Sequence, residues 1–437
     1  MKRLALFLSL PVVFLLALSG PAGAVDVKRV DSGLGFSALL VEDHSNPIIA
    51  MRIAFHGGSA LDPVEQEGLA NLVSGLIDEG AGDLDSQTFQ ARLEDYSIKL
   101  SFSSGADSFR GSLTTLSENR EEAFSLLKLA LTEPRFDAEP VERIKEQILS
   151  GIRQSAEDPN SIAYEELYKT VFAGHPYGRP SEGTLETVKG ISVEAMAGFV
   201  SRRFALDNLH IGVTGDITPD ELKTVLNNIF ESLPAHATPW EIPLADVSTD
   251  GQALVISKPV PQSAIVFAQR GLLRPDPDFY PAYVMNYILG GGGFISRLYK
   301  EVREERGLAY SVYSYLTPMD KAGLYIGGAG TANARVGETL DVVRAQWALM
   351  ANKGITQDEL NNAKTYLTGS YPLRFSSNSK IANMLLGIEM DDLGDDFFDR
   401  RNDLVEAVTL ADVNRVAATL LDPKSLTFIV VGEPEGL

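Results

Sequence analysis

Asn208-Leu209-His210-Ile211-Gly212-Val213-Thr214-Gly215-Asp216 is typical of a β-strand that ends at a glycine followed by an acidic residue. Ser425-Leu426-Thr427-Phe428-Ile429-Val430-Val431-Gly432-Glu433 repeats this pattern, and the two terminal glycines lie 217 residues apart. A hydroxyl residue, Ser192 or Thr409, stands at the predicted start of the helix that leads to each strand. Internal duplication is the simplest explanation, so the sequence predicts two related halves.

A second pair of matching segments supports the duplication and places its boundary. Lys145 lies in a predicted helix, and Lys364 lies in a similar segment 219 residues later. Between the halves, Pro, Ser, Asp and Gly interrupt every periodic pattern, which is typical of a linker. We therefore expect an N-terminal domain over 25–233, a linker over 234–252 and a C-terminal domain over 253–437.

Strands and helices mix irregularly within each half, unlike the regular alternation of a doubly wound parallel sheet. Residues 48–55 and 100–113 are predicted strands, whereas 121–131 and 141–155 carry apolar residues at helical spacing. This order predicts an α+β fold in which each half is a mostly antiparallel sheet covered by helices.

The amino-acid composition excludes several classes of function. With 437 residues, 44% hydrophobic and 22% charged, the chain is typical of soluble globular proteins of about two domains. The lack of Cys excludes disulfides, thiolate metal sites and a Cys nucleophile. A formal net charge of −21 disfavours binding to nucleic acid or anionic lipid.

The first 24 residues have the pattern of a secretory signal peptide. Lys2 and Arg3 precede an apolar run over 4–18, and Ala22-Gly23-Ala24 matches a cleavage site. An uncleaved anchor helix is the alternative. Removal of 1–24 takes away two basic side chains and leaves a net charge of −23. We expect a periplasmic protein with no membrane association after cleavage.

The most informative helix is predicted over 67–80. Leu69, Leu72, Val73 and Leu76 form one apolar stripe, so the opposite face is expected to carry polar residues and Gly75. A glycine inside a helix costs about 1 kcal/mol relative to alanine, which indicates that another requirement placed it there.

Gly68-Leu69-Ala70, the stop at Gly80, the later His175-Pro176-Tyr177-Gly178 and the duplicated halves together resemble the pitrilysin/insulinase family. These inverted-zinc peptidases include the mitochondrial processing peptidase, and the resemblance covers about 25–437. It implies that the two halves form half of a clamshell. Active members carry H-x-x-E-H on this helix, in which two His bind zinc and the Glu activates water. The family supplies a further Glu ligand about 75 residues downstream.

The resemblance also implies that this chain has lost its zinc site. The four family positions fall on Asn71, Ser74, Gly75 and, in the helix 141–155, Gly151. Amide, hydroxyl and hydrogen are poor substitutes for imidazole and carboxylate, so we expect no metal or other cofactor here and no peptidase activity from this chain alone. The five His residues include no pair three to five positions apart, so they do not replace the site.

The second half retains a different part of the family pattern. The run 289–293 lacks the Gly-Lys-Ser/Thr ending of a phosphate loop and is expected to be a flexible turn. A helix over 296–305 and a strand over 308–315 should follow. They resemble the family's C-terminal motif, in which an Arg and a Tyr seven residues apart hold the substrate backbone and stabilise the oxyanion. The matching residues are Arg303 and Tyr310. A helix-end salt bridge and a half-buried strand residue are the structural alternative for this pair.

We therefore expect the zinc-free subunit of a heterodimeric periplasmic zinc peptidase. Its homologous partner would carry H-x-x-E-H and the zinc, and peptides or unfolded polypeptides would dock by adding a strand to a sheet edge. The main alternative is a non-catalytic peptide-binding or structural homologue without a peptidase partner. A self-sufficient peptidase that uses another metal arrangement is a third possibility.

Overall fold

The computed structural model describes residues 25–435, and these form two β-sheets flanked by helices. The predicted signal peptide, residues 1–24, lies outside the described residues. The first sheet contains β1 (Lys28–Asp31), β2 (Ser37–Glu42), β3 (Ile48–His56), β4 (Lys99–Ser104), β5 (Ser108–Leu116) and β6 (Leu209–Gly215). The second sheet contains β7 (Ala253–Ser257), β8 (Gln262–Arg270), β9 (Ala309–Pro318), β10 (Gly323–Ala332) and β11 (Thr427–Gly432).

The two sheets share one topology. Their strand orders are β1-β2-β6-β3-β5-β4 and β7-β11-β8-β10-β9, so the second matches the first once β1 is set aside. Each sheet has one parallel pair, β2 with β6 or β7 with β11, and its other pairs are antiparallel. The predicted α+β fold with duplicated halves is confirmed.

Local contacts repeat along with the topology. A Cβ at Gly215 would lie 2.0 Å from the Ile48 carbonyl oxygen at the start of β3. At the equivalent Gly432, a Cβ would lie 2.3 Å from a side-chain oxygen of β8. Lys145 donates to the Ile191 carbonyl at 2.5 Å, and Lys364 donates to a carbonyl at 2.6 Å, each just before the helix that leads to the last strand. The glycine and lysine matches in the sequence therefore reflect equivalent positions in space.

Fourteen α-helices are present among the described residues. In the first half these are α1 (Leu69–Ser74), α2 (Ser86–Asp95), α3 (Arg120–Thr132), α4 (Ala138–Ser155), α5 (Pro159–Val171), α6 (Leu185–Gly190), α7 (Val193–Arg203) and α8 (Pro219–Phe230). In the second half they are α9 (Phe279–Asn286), α10 (Val336–Lys353), α11 (Gln357–Gly369), α12 (Asn378–Met390), α13 (Phe397–Glu406) and α14 (Leu410–Leu420). The predicted helices are confirmed as α3 and α4, and Ser192 and Thr409 cap α7 and α14 by accepting backbone N–H groups.

The halves exchange one helix each. Helix α5 precedes the linker but packs on β8 and β11 of the second sheet, whereas α12 packs on β2, β3 and β6 of the first. Gly212 of β6 permits this approach, because a Cβ there would lie 2.6 Å from the Ala382 carbonyl oxygen of α12. Leu385 of α12 is fully buried in the cluster that also contains Leu39 of β2. Neither half therefore covers both faces of its own sheet.

Two predicted elements are wrong in detail. Residues 100–113 form parts of β4 and β5 rather than one strand, because the chain turns at Gly105, whose N–H donates to the Ser108 carbonyl at 2.9 Å. The helix predicted over 296–305 is a π-helical turn at Tyr299–Glu304. The strand that follows it is confirmed as β9.

The predicted linker, 234–252, contains no helix or strand and packs on the protein surface near the exchanged helix α5. The Ala245 N–H donates to the Lys321 carbonyl at 2.8 Å, and the Ser248 N–H donates to the Val171 carbonyl at 2.9 Å. This segment is thus fastened to elements of both halves. Across 25–435, no helix combines the length and the apolar character that a membrane crossing requires.

Candidate functional site

Helix α1 is short and rigidly positioned. Gly68 precedes it with φ +90°, and a Cβ there would lie 2.5 Å from the Glu182 carbonyl oxygen. The Asp62 carboxylate accepts the N–H groups of Gly68 and Ala70, each at 3.2 Å. Burial raises the pKa of Asp62 to about 7. The helix ends at Ser74, so the prediction of a helix to residue 80 is too long.

The three predicted zinc positions on α1 lie together but offer little to a metal. Ser74 is only 7% exposed, rather than on the polar face as expected, and its hydroxyl donates to the Asn71 carbonyl at 2.7 Å. Gly75 faces α4, where an added Cβ would lie 3.1 Å from a methyl carbon of Ile144. The Ser74 hydroxyl is therefore already bonded to the helix backbone. Ile144 takes up the space that a side chain at position 75 would need.

The fourth predicted position lies on α4, farther along that helix than the residue that contacts Gly75. Gly151 is seven residues beyond Ile144 on α4, which corresponds to about two helical turns. A Cβ at Gly151 would meet no atom within 4 Å. Gly75 is thus in contact with Ile144 of α4, whereas a side chain at position 151 would extend into open space.

These residues do not fit a zinc ion. Zinc sites in proteins use three or four donors drawn from Cys, His, Asp and Glu. Within 25–435 no group of three or more such side chains is placed to hold a metal. The nearest acid along the chain, Asp78, is followed by Glu79, and burial raises the pKa of Asp78 to about 7. No step that depends on metal-activated water can be built from this part of the chain.

Arg303 and Tyr310, in contrast, lie in contact. The guanidinium carbon of Arg303 is 4.4 Å from the ring centroid of Tyr310 and 4.9 Å from that of Tyr299, so the cation lies between two aromatic rings. Arg303 also donates a hydrogen bond to the Tyr299 hydroxyl. Tyr310 itself is 80% exposed, which leaves its hydroxyl accessible from solvent. The helix-end salt bridge considered for Arg303 is absent among the described residues. Sequence reasoning did not identify Tyr299, although its spacing of four residues from Arg303 is a signal for contact on a helix.

The glycine-rich run lies beside this pair. Gly290 packs against β9, where a Cβ would lie 2.7 Å from the Ser314 nitrogen. The next turn exposes Phe294 and Ile295, which are 72% and 67% accessible, and the Phe294 ring lies 4.9 Å from that of Tyr299. Two apolar side chains thus stand in solvent next to the Arg303 cation.

Strand β9, which carries Tyr310, is an edge strand. Among the described residues it pairs with β10 on one side only. Tyr313 and Tyr315 also lie on it, and their hydroxyls are 3.0 Å and 3.3 Å from that of Tyr164 on α5. An unpaired edge leaves backbone donors and acceptors for another extended chain.

His56 and His210, which the sequence did not indicate as a pair, are in contact across neighbouring strands. The rings of His56 on β3 and His210 on β6 lie 4.7 Å apart, edge to face. The His56 Nδ1 is 3.5 Å from an Asp320 carboxylate oxygen. Burial lowers the pKa of His210 to about 4, so its imidazole is neutral at physiological pH. Strand pairing, rather than sequence spacing, brings the two rings together.

Comparison with known proteins agrees with this geometry. The profile described as "Insulinase (Peptidase family M16)" matches residues 37–185, and "Peptidase M16 inactive domain" matches residues 190–367. The chain is 28% identical to the non-peptidase homolog YmxG of Helicobacter pylori over 89% of this chain and 90% of that protein. It is 30% identical to an uncharacterized zinc protease of Streptomyces coelicolor over 58% of this chain and 57% of that protein.

A solved structure extends the similarity to the whole fold. The peptidase M16 inactive domain from Pseudomonas fluorescens superposes with a TM-score of 0.87 at 28% identity, and the match covers 94% of this chain and 98% of that one. The two family profiles together span most of the described residues. The chain therefore belongs to the insulinase (peptidase M16) family and resembles its inactive members.

Proposed function

We propose that this protein is the zinc-free subunit of a heterodimeric periplasmic peptidase and lends Arg303 and Tyr310 to the partner's active site. The observation that carries the proposal is the contact between Arg303 and the exposed Tyr310 in a chain whose α1/α4 region does not fit zinc. A family member that has the Arg and Tyr of the active site but no zinc ligands would need a partner subunit that supplies the zinc. The partner would be a homologous subunit with H-x-x-E-H and the zinc.

The chemistry of the pair suits a tetrahedral intermediate. Hydrolysis of a peptide bond places negative charge on the carbonyl oxygen, and donors aimed at that oxygen lower the barrier. Arg303 offers a permanent cation whose position is fixed by Tyr299 and Tyr310. The Tyr310 hydroxyl is exposed and can donate to the same oxygen.

The edge of β9 supports docking of an extended substrate. A peptide that pairs with this edge runs past Tyr310, and the exposed Phe294 and Ile295 lie beside the same site. Pairing through backbone hydrogen bonds accepts many sequences, which suits unfolded polypeptides as substrates. The acidic chain favours basic substrates or a less acidic partner.

The test is reconstitution with the H-x-x-E-H homologue encoded in the same genome. We expect the two chains to copurify from the periplasm and to hydrolyse an unfolded peptide that neither chain cleaves alone. Arg303→Ala and Tyr310→Phe should lower turnover while copurification persists. Arg306→Ala is the matched control, because Arg306 pairs with Glu301 on the same turn and does not contact Tyr310. Unchanged turnover in both test variants would refute the assignment.

The second candidate is a non-catalytic peptide-binding or structural homologue. The observation in its favour is that Arg303 already has partners within the chain, one hydrogen bond and two aromatic rings. It predicts no stable partner with the zinc motif, and peptide affinity that falls in Arg303→Ala. Copurification with an H-x-x-E-H subunit in the experiment above decides between the two candidates.

A further inference from the structure

Two adjoining cavities lie where the exchanged helix α12 meets α9, α11 and α13 of the second half. The larger has a volume of ≈ 730 Å³ and the smaller ≈ 240 Å³. They share Tyr283, Arg374 and Met384 as lining residues, and the two adjoining cavities together are here called the junction pocket. Its size is within the range of small-molecule sites.

The junction pocket is cationic in a strongly acidic chain. Arg274, Arg374, Lys380 and Arg401 line it, and Asp391 is the one acidic residue among the described lining residues. Burial raises the pKa of Asp391, and its carboxylate is 3.4 Å from Arg274, so that pair is internally balanced. Within 25–435 the remaining cations line the cavity without a carboxylate in salt-bridge contact, while the whole chain has a net charge of −21.

Arg401 is the most unusual of these groups. It is only 6% exposed, and within the described residues no carboxylate lies within 4 Å of its guanidinium. It donates to the Leu367 carbonyl at 2.7 Å, to the Asn402 side chain at 3.0 Å and to the Tyr283 hydroxyl at 3.2 Å. These bonds use three of its five N–H groups. A buried guanidinium with neutral partners only is costly unless an anion balances it.

Tyr371 provides a second, independent sign of a ligand. Its ring lies 4.5 Å from the Arg401 guanidinium carbon, and the residue is only 6% exposed. Tyr371 lines the junction pocket, and its buried hydroxyl has no hydrogen-bond partner within the described part of the chain. Burial raises the pKa of Tyr371 to about 12, so the hydroxyl keeps its proton and can donate it. An acceptor in the cavity would satisfy this group.

The smaller cavity also has an apolar part. Phe397, Phe398, Met384, Ile388 and Leu393 line it together with the cations. A small inorganic anion would leave these side chains unused. A ligand that joins a carboxylate to an apolar body would satisfy both sides, because Arg and Tyr donors suit carboxylate oxygens and the apolar wall gains from burial.

We propose that the junction pocket binds a carboxylate attached to an apolar body, held by Arg401, Arg374 and the Tyr371 hydroxyl. A free aliphatic acid and the last residue of a peptide with an apolar side chain offer this same chemistry. The three donors lie on α13 and on the segment between α11 and α12, whereas the larger cavity also reaches Ser314 and Tyr315 of β9. The proposal does not depend on the proposed peptidase function.

Calorimetric titration of the chain alone tests the proposal. The probes are octanoate against octanamide, and an acetylated tripeptide ending in Phe as its free acid against its C-terminal amide. We expect at least one acid to bind at least tenfold more tightly than its amide, and the acid that binds identifies the source of the carboxylate. Amides that bind as tightly as the acids, or no binding of either acid at millimolar concentration, would overturn the proposal.

Variants separate binding from folding. Tyr371→Phe removes a hydroxyl without a partner, so it should leave thermal unfolding unchanged and weaken the acid about tenfold. Arg374→Ala, at an exposed position, should weaken it several-fold. Tyr325→Phe is the matched control, because it removes the hydroxyl of another buried tyrosine, one that does not line the pocket. Equal affinity in Tyr371→Phe and Tyr325→Phe would contradict the assignment.

Discussion

The two halves have the same strand order but carry different side chains between equivalent strands, from β3 to β4 in the first half and from β8 to β9 in the second. In the first half, the helix that holds zinc in active relatives presents Asn71, a buried Ser74 and Gly75 against the side chain of Ile144. In the second half, Arg303 is held between two rings, and one of them, on Tyr310, is 80% exposed. The same fold therefore supports one region in which neighbouring side chains occupy the space, around Gly75, and another in which a side chain is open to solvent, at Tyr310. A shared fold sets where side chains stand, and the residues themselves set whether the position retains any chemistry.

The largest expected effect concerns this difference in chemistry. In the reconstituted peptidase, Tyr310→Phe should lower kcat about 10²- to 10³-fold, because it removes one donor to the oxyanion. Ser74→Ala, the change in the first half, should leave kcat unaltered, since its hydroxyl bonds only to the Asn71 carbonyl. Steady-state kinetics on an unfolded peptide measure both. Equal losses in the two variants would show that the first half also takes part.

A second prediction tests whether the halves are one folding unit. Gly212→Ala places a Cβ 2.6 Å from the backbone of the exchanged helix α12, so we expect a loss of about 3 kcal/mol in the free energy of unfolding. Gly330→Ala, the same change in β10, meets no atom within 4 Å and should cost nothing. Urea unfolding followed by far-UV and near-UV circular dichroism gives both values. Independent halves would show two transitions, of which only one shifts in Gly212→Ala.

A third prediction uses a pH-sensitive difference between equivalent positions. His210 in β6 corresponds to the buried Thr427 in β11. Burial lowers the pKa of His210 to about 4, so below pH 6.5 the unfolded chain takes up a proton that the folded chain refuses. Stability therefore falls as the pH drops, by roughly 2 kcal/mol at pH 5.

His210→Thr should remove this part of the acid sensitivity. Comparison of urea midpoints at pH 7.5 and pH 5 for the two proteins isolates the contribution of His210. It also cancels Asp62 and Asp78, whose raised pKa values act in the opposite direction by lowering stability as the pH rises. The same pH dependence in both proteins would mean that His210 is protonated in the folded state.

The smallest expected effect is at the degenerate metal positions. Asn71→His should bring no stoichiometric zinc and no peptidase activity to the isolated chain, because Ser74, Gly75 and Gly151 still provide no ligand. Asn71 is partly exposed, so stability should change by less than about 0.5 kcal/mol. Metal analysis of the purified variant checks this. Bound zinc at one equivalent would disprove the assignment of these four positions.

Much of the local structure could be predicted from periodicity and caps. Ser192 and Thr409 begin α7 and α14 as expected, and β3 was placed to within one residue. The single strand predicted over 100–113 is wrong, because the apolar positions change phase across Gly105, from Leu100 and Phe102 to Phe109 and Leu113. The seven-residue spacing of Arg303 and Tyr310 indicated their contact, but only through the family resemblance.

By itself, the sequence determined the duplication, the α+β class and the loss of ligand side chains at α1, because these depend on residue types and on spacing along the chain. Tertiary structure decided the rest. An apolar stripe determines that one face of a helix is buried, but it does not determine which sheet covers that face. The exchange of α5 and α12 is therefore not encoded locally. For the same reason, the pair His56 and His210, the stacking of Arg303 between rings and the junction pocket around Arg401 arise only when distant segments pack together.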